Sequence, residues 1–177
     1  MIVNGKALLN AYPFEHMLVT KEKKYGYSHG LSEAGYDIRI AQDIFFYPGK
    51  YVLGLKIKPE HIVCWQKNAE WSDEPIKGRF CLASTIEKFQ MPLNLTGIVH
   101  DKSTWARQGL SVFNTVIEPG WAGFLTLELA FNGEQPLEIP SGVGIAQVIF
   151  HKTTEKARYD GKYQNATAGP QKAIFEK

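Results

Sequence analysis

Apolar and polar positions alternate with a period of two along much of this chain. The clearest case is FLTLELAF (124–131), which puts Leu125, Leu127, Leu129 and Phe131 on one face and Phe124, Thr126, Glu128 and Ala130 on the other. YDIRIA (36–41), DIFFY (43–47), KYVLGLKIK (50–58), HIVCW (61–65), RFCLAST (79–85), LTGIVH (95–100), LSVFN (110–114) and GIAQVIF (144–150) are short runs rich in β-branched and aromatic residues. Gly, Pro and Asn separate most of them, which predicts an antiparallel β sandwich or barrel. Helical signals occur twice. Asn4 can cap a short helix over GKALLNAY (5–12), and Asp101 can cap DKSTWARQ (101–108), which Gly109 closes. Pro13 and the polar stretch 21–30 predict a loop. The Gly-containing tail, residues 160–177, is expected to be a mobile lid.

Length and composition bound this picture. The 177 residues suffice for one domain with a real core, so 1–177 is taken as a single domain. Apolar residues at 44% and charged residues at 21% are ordinary globular usage, which excludes disordered and collagen-like readings. A net charge of +2 is far from the basic surplus that a nucleic-acid polymer needs, and suits a small polyanion such as a nucleotide better. Cys64 and Cys81 form neither a CxxC pair nor a disulfide framework, and are expected to be buried thiols in a reducing cytoplasm. No stretch approaches the roughly 18 apolar residues of a membrane span, and the opening segment lacks the apolar run of a signal peptide, so a soluble protein without membrane contact is expected.

Four places can carry chemistry. Lys102, Ser103 and Thr104 open the embedded helix with two hydroxyls and an ammonium that suit a phosphate chain, although capped helices with such residues are also common as plain structure. Arg107 follows Ser103 by four residues, so the two share a helix face and could hold one water or substrate group. Glu128 lies between Phe124 and Ala130 on the less apolar strand face, a partly dry setting that can raise its pKa. Asp37 and Arg39 share a strand face and either pair with each other or each meet another element. The HxE and PCxxC signatures of zinc deaminases are missing from the sequence, as are GxSxG and Walker motifs and a dinucleotide GxGxxG.

Taken in order, AGYDIR (34–39), KSTWARQGL (102–110), IEPGWAGFLTLEL (117–129), GIAQVIF (144–150) and YDGKYQ (159–164) resemble the motifs of the dCTP deaminases, within the superfamily that also holds the trimeric dUTPases. The resemblance implies a mainly β fold, a dUTPase-like distorted antiparallel barrel of β-clip or jelly-roll type with short helices. It implies zinc-independent conversion of dCTP to dUTP and ammonia, with Glu128, Ser103 and Arg107 as the catalytic residues. Lys102, Thr104, Asn114, Glu118, Trp121, Thr126, Gln147, Tyr159 and Lys162 would then bind the nucleotide. Mg²⁺ would arrive with the triphosphate rather than on protein ligands, and the active sites would lie between the subunits of a homotrimer. The same motifs leave open a dUTP diphosphatase or bifunctional enzyme, and a catalytically silent regulator that binds dCTP, dUTP or dTTP. Phe113-Asn114 stands where deaminases usually show Thr-Ala. Ala166 or Thr167 stands where they carry a lid glutamine, and Trp105 replaces a smaller aliphatic residue.

Overall fold

The computed structural model describes residues 1–46, 64–67, 70–72 and 80–175, with only the strand path in the two short central segments. The strand expected at 50–58 and the start of that at 61–65 lie outside these residues. In chain order the elements are β1 (Ile2–Val3), α1 (Gly5–Ala11), β2 (Lys21–Lys24), β3 (Tyr27–Leu31), β4 (Tyr36–Arg39), β5 (Ile44–Phe46), β6 (Cys64–Lys67) and β7 (Glu70–Ser72). They continue as β8 (Phe80–Gln90), β9 (Leu95–Asp101), α2 (Ser103–Ala106), β10 (Leu110–Val112), β11 (Val116–Ile117), β12 (Ala122–Phe131), β13 (Leu137–Ile139) and β14 (Gly144–Lys152). No helix among the described residues is long and apolar enough to cross a membrane.

Two antiparallel sheets dominate. The larger runs β11-β9-β14-β4-β3-β2 with β1 also paired to β14, and the second runs β10-β12-β8. The pairs β13-β5 and β6-β7 complete the described set. None of these sheets closes on itself among the described residues, so the expected barrel is instead a set of open sheets. One physical reason is visible at β2, whose KEKK side chains are all exposed: a charged, solvated edge resists further pairing.

The core forms where the sheets meet. Leu125, Leu127, Leu129 and Phe131 of β12 are all buried, as the alternation predicts. Phe14, fully buried in the loop after α1, packs its ring 4.5 Å from Tyr36 of β4, 4.6 Å from Phe89 of β8 and 5.6 Å from Phe150 of β14. One aromatic therefore joins both sheets, and each such ring contributes roughly 1.5–3 kcal/mol by leaving water. Cys81 is buried, as expected.

Three local expectations need correction. The stretch 21–30, expected as a loop, is mostly the β2–β3 hairpin, turned by Tyr25 (φ 50°) and Gly26 (φ 83°). Two successive positive φ values match the strand twist, and the signal was masked because β2 has no apolar face. At α1, the Asn4 side chain donates its amide to the Glu33 carbonyl (2.7 Å) and makes no cap bond. The embedded helix is only the four residues of α2, with Lys102 rather than Asp101 at its N-cap. Asp101 ends β9, where its carboxylate accepts the Val112 N–H at 2.7 Å and fixes the return strand β10.

Candidate active site

Glu128 stands near the end of β12, directly opposite Leu82 of β8, and its backbone carbonyl accepts the Phe113 N–H at 2.9 Å. Strand alternation turns its side chain away from the leucine core into a cavity of about 640 Å³. Leu82, Val116, Trp121, Phe124 and Leu125 are among the apolar residues of its wall. Glu128 is half-buried, and burial pushes its carboxyl above the ordinary carboxylate value of 4.5, opposed only by a backbone hydrogen bond. A carboxylate of raised pKa is a better proton acceptor, and its protonated form persists to higher pH as a donor.

Five of the twelve sequence-singled residues line this one cavity: Glu118, Trp121, Thr126, Glu128 and Tyr159. Lys162 lies in an adjoining hollow of about 560 Å³ that shares Leu82, Ala166, Gln171, Lys172 and Ala173 with the first. Asn114 is exposed on the segment between β10 and β11 and lines neither. Its neighbour Phe113 is 51% exposed, with its ring 5.9 Å from that of Phe80 at the cavity wall.

The residues of α2 are elsewhere. Ser103, Thr104 and Arg107 are all exposed, and none lines the Glu128 cavity of the same chain. Two side chains hold the turn from behind. Trp105 is buried, donates its indole N–H to the Gly144 carbonyl at 2.7 Å, and stacks on Tyr27 at 4.1 Å between ring centroids. Lys102 is buried too. Its ammonium is ion-paired with Asp37 and donates to Ser28 Oγ at 2.8 Å. Gln147 of β14, also expected to bind the nucleotide, donates its side-chain amide to Asp37 Oδ1 (3.2 Å) and Ser32 Oγ (3.0 Å).

Asp37 and Arg39 therefore each meet another element. Arg39 is held by Glu87 of β8, whose two carboxylate oxygens take its backbone N–H and its Nε, both at 2.8 Å. This pair ties β4 of the larger sheet to β8 of the smaller. Burial pushes the Glu87 carboxyl up in pKa, against the opposing pull of the Arg39 bonds and charge.

The C-terminal segment packs back over β12. Trp121 Nε1 donates to the Tyr163 carbonyl (2.8 Å), Gln164 Oε1 accepts the Ala122 N–H (2.8 Å), and Phe124 N–H bonds the Ala166 carbonyl (3.0 Å). Gly123 makes this approach possible: a Cβ there would lie 2.5 Å from the Ala166 nitrogen. Further on, the Gln171 N–H donates to Thr126 Oγ1 at 3.0 Å, and Gln171, Lys172, Ala173 and Phe175 complete the cavity wall. Sequence reasoning named none of these four. The apolar Ile174-Phe175 pair closing a polar tail was the one available hint. Lys162, expected at the phosphates, donates to the Ile174 carbonyl, and the Ile174 N–H bonds Tyr163 Oη at 3.0 Å. Among the described residues no group of three or more His, Cys, Asp or Glu side chains could hold a metal ion.

Known proteins resemble this chain in fold and in sequence. The fold is similar to that of the 2'-deoxycytidine 5'-triphosphate deaminase of Agrobacterium tumefaciens, with a TM-score of 0.53 and 13% identity over 88% of this chain and 50% of that one. In fold the protein is of the mainly β class to which that deaminase belongs. A family model described as dCTP deaminase-like matches residues 20–153. The dCTP deaminase of Roseiflexus castenholzii is 36% identical over 148 residues, 79% of each chain, and that of Helicobacter pylori is 34% identical over 167 residues, 85% of this chain and 86% of the other. The chain belongs to the dCTP deaminase-like family.

Proposed function

We propose that this protein hydrolyses the 4-amino group of dCTP, giving dUTP and ammonia, with Glu128 as the proton-transferring residue. The observation that carries the reading is a half-buried carboxyl of raised pKa on the wall of a largely apolar cavity, in a chain of this family. Ionised Glu128 takes a proton from water, and the hydroxide so formed adds to C4 of the cytosine ring. Glu128 passes the proton to N3. The tetrahedral carbon then expels its amino group as ammonia, which takes the hydroxyl proton as the C4 carbonyl forms. One water is consumed for each ammonia released, and no electron acceptor is needed.

Ser103 and Arg107 orient the water and the developing charge at C4. Since they lie outside the Glu128 cavity of their own chain, they act on the cavity of a neighbouring copy, which fits a homotrimer with sites between subunits. Asn114, Glu118, Trp121 and Thr126 contact the base and sugar, and Thr104, Tyr159 and Lys162 close on the phosphates. Residues 160–177 form the lid of a single domain spanning 1–177. Mg²⁺ is expected to travel with the nucleotide, held by its phosphates and by water. When bound, Mg²⁺ supplies neutralising charge to the triphosphate. The reaction belongs to cytoplasmic deoxynucleotide metabolism.

The test is incubation of the protein with dCTP or dUTP and Mg²⁺, followed by assay of ammonia, base and pyrophosphate. Ammonia with dUTP as product is expected. Pyrophosphate without ammonia would replace this reading with a diphosphatase, and tight binding without turnover would replace it with a silent regulator.

A further inference from the structure

Glu128 is flanked across the sheet from both neighbouring strands. Leu82 of β8 pairs with it directly. On the β10 side the register sets Leu110 against Phe131, Ser111 against Ala130 and Val112 against Leu129. The next residue, Phe113, continues the ladder by donating its N–H to the Glu128 carbonyl at 2.9 Å. Leu110 and Val112 are buried with the leucine face of β12, so alternation brings Phe113 to the opposite face, beside Glu128. The carboxyl thus rises between two apolar side chains, one from each neighbour.

Along its own strand the two sides of Glu128 differ. Toward Thr126 lies the cavity. Toward Ala130 a single methyl group leaves room above the sheet, and two rings meet there. Phe80, paired with Ala130, and Phe113 have centroids 5.9 Å apart and planes tilted by 43°. Phe80 forms part of the cavity wall, and Phe113 backs it from outside. Phe80 is 42% and Phe113 51% exposed, so neither ring is there to fill the core. The residues of β8 and β10 beside Glu128, namely Phe80, Leu82, Ser111 and Phe113, carry no ionisable group. The ionisable groups that share its cavity are Glu118, between β11 and β12, and Tyr159, Tyr163 and Lys172 of the C-terminal segment. Burial is what raises the Glu128 carboxyl, and on this side the rings are what can bury it.

We propose that Phe80 and Phe113 form an aromatic wall that keeps bulk water off Glu128 on the Ala130 side, so that the carboxyl exchanges protons through the cavity alone. They act as positioning residues, through Glu128 and not on the reacting atoms. The consequence for turnover rests on the proposed deaminase reading, which makes Glu128 the proton-transferring group. Opening the wall would hydrate the carboxylate, stabilise its ionised form and make it a weaker base. The effect should fall on kcat and its pH dependence, whereas a ring that contacts substrate would act first on KM.

The experiment titrates the Glu128 carboxyl by carbon NMR in the full chain labelled at glutamate, with Glu128→Gln identifying its resonance. Wild type is compared with Phe113→Ala, Phe113→Leu and the double variant Phe80→Ala/Phe113→Ala, and kcat and KM for dCTP are measured across pH. Both rings are partly exposed, so the variants should fold, and the single variants carry the test if the double one does not. In Phe113→Ala the midpoint should fall toward 4.5, and further in the double variant, with the acid limb of kcat moving the same way. A loss of about three- to tenfold in kcat is expected, with KM changed less than about threefold. Phe113→Leu, which keeps most of the apolar bulk, should titrate nearer to wild type than Phe113→Ala. A midpoint that is unchanged or raised in Phe113→Ala overturns the proposal, and so does Phe113→Leu titrating with Phe113→Ala. A tenfold rise in KM at unchanged kcat would make the rings substrate contacts and overturn it as well. Wild-type protein that releases no ammonia from dCTP sinks the deaminase reading, while the NMR arm still decides whether the rings wall off Glu128.

Discussion

Glu128 sits on a ten-residue strand whose alternate side chains fill the core, whereas Ser103 and Arg107 sit on a single helical turn clamped by two buried side chains. The strand needs no special device. Its register with β8 from Ala122 to Ala130, broken by one irregularity between Phe124 and Thr126, fixes which way every side chain points. The turn depends on an ion pair and an indole hydrogen bond reaching across to β4 and β14. One half of the candidate site is therefore rigid by construction, and the other is only as rigid as its anchors.

The most severe way to break the strand half is Glu128→Gln. The amide keeps the shape but cannot take a proton, so kcat for ammonia release should fall by about 10²–10⁴-fold with dCTP binding largely kept. Near wild-type turnover would remove Glu128 from its role. The pH profile sharpens the same point. Proton abstraction needs ionised Glu128, and burial raises its pKa, so the acid limb of kcat should have its midpoint above 4.5 and activity should be lost as pH falls through it.

The bond between the two halves can be cut at Arg39→Met, which leaves the buried Glu87 carboxylate without its cation. A loss of about 3–5 kcal/mol at neutral pH is expected from urea unfolding. The sign of its pH dependence follows from the raised Glu87 pKa. A folded-state pKa above that of the unfolded chain favours the folded state at low pH and is lost as a stabilising effect as pH rises through the folded value. The variant should accordingly recover part of its stability on acidification from pH 7 toward 5, and a steady decline over that range would refute the assignment.

Trp105→Phe weakens the turn half alone. It leaves the Gly144 carbonyl without its indole partner, at a cost of about 1–3 kcal/mol, and should lower kcat while the acid limb set by Glu128 keeps its midpoint. A shifted midpoint would mean that the two halves are not separable. The smallest effect is expected at Thr126→Val, which removes the acceptor for the Gln171 N–H at about 0.5–1.5 kcal/mol. Without nucleotide, tryptic cleavage after Lys172 should become a few-fold faster, and an unchanged rate would show that this bond does not hold the tail.

The strand half was legible and the turn half was not, for a reason of distance. Period-two alternation is a local property, so the outward face of Glu128 and its apolar neighbours follow from eight consecutive residues. The same locality identified Ser103 and Arg107 as sharing one side of a turn. The ion pair of Lys102 was not legible because its partner lies 65 residues earlier in the chain, and an exposed and a buried lysine at a helix start have the same local pattern. The β2–β3 hairpin was missed because KEKK faces solvent throughout, so nothing in its polarity alternates.

The sequence by itself determined a chain dominated by short antiparallel strands, a half-dry glutamate opposite a row of leucines, and a motif order that resembles the dCTP deaminases. Only the tertiary structure decided where the charges go. Lys102 turns to Asp37, Arg39 to Glu87, and the end of the tail to Thr126, because a buried charge or polar group must find its partner wherever the fold brings one, and that choice is not written in neighbouring residues.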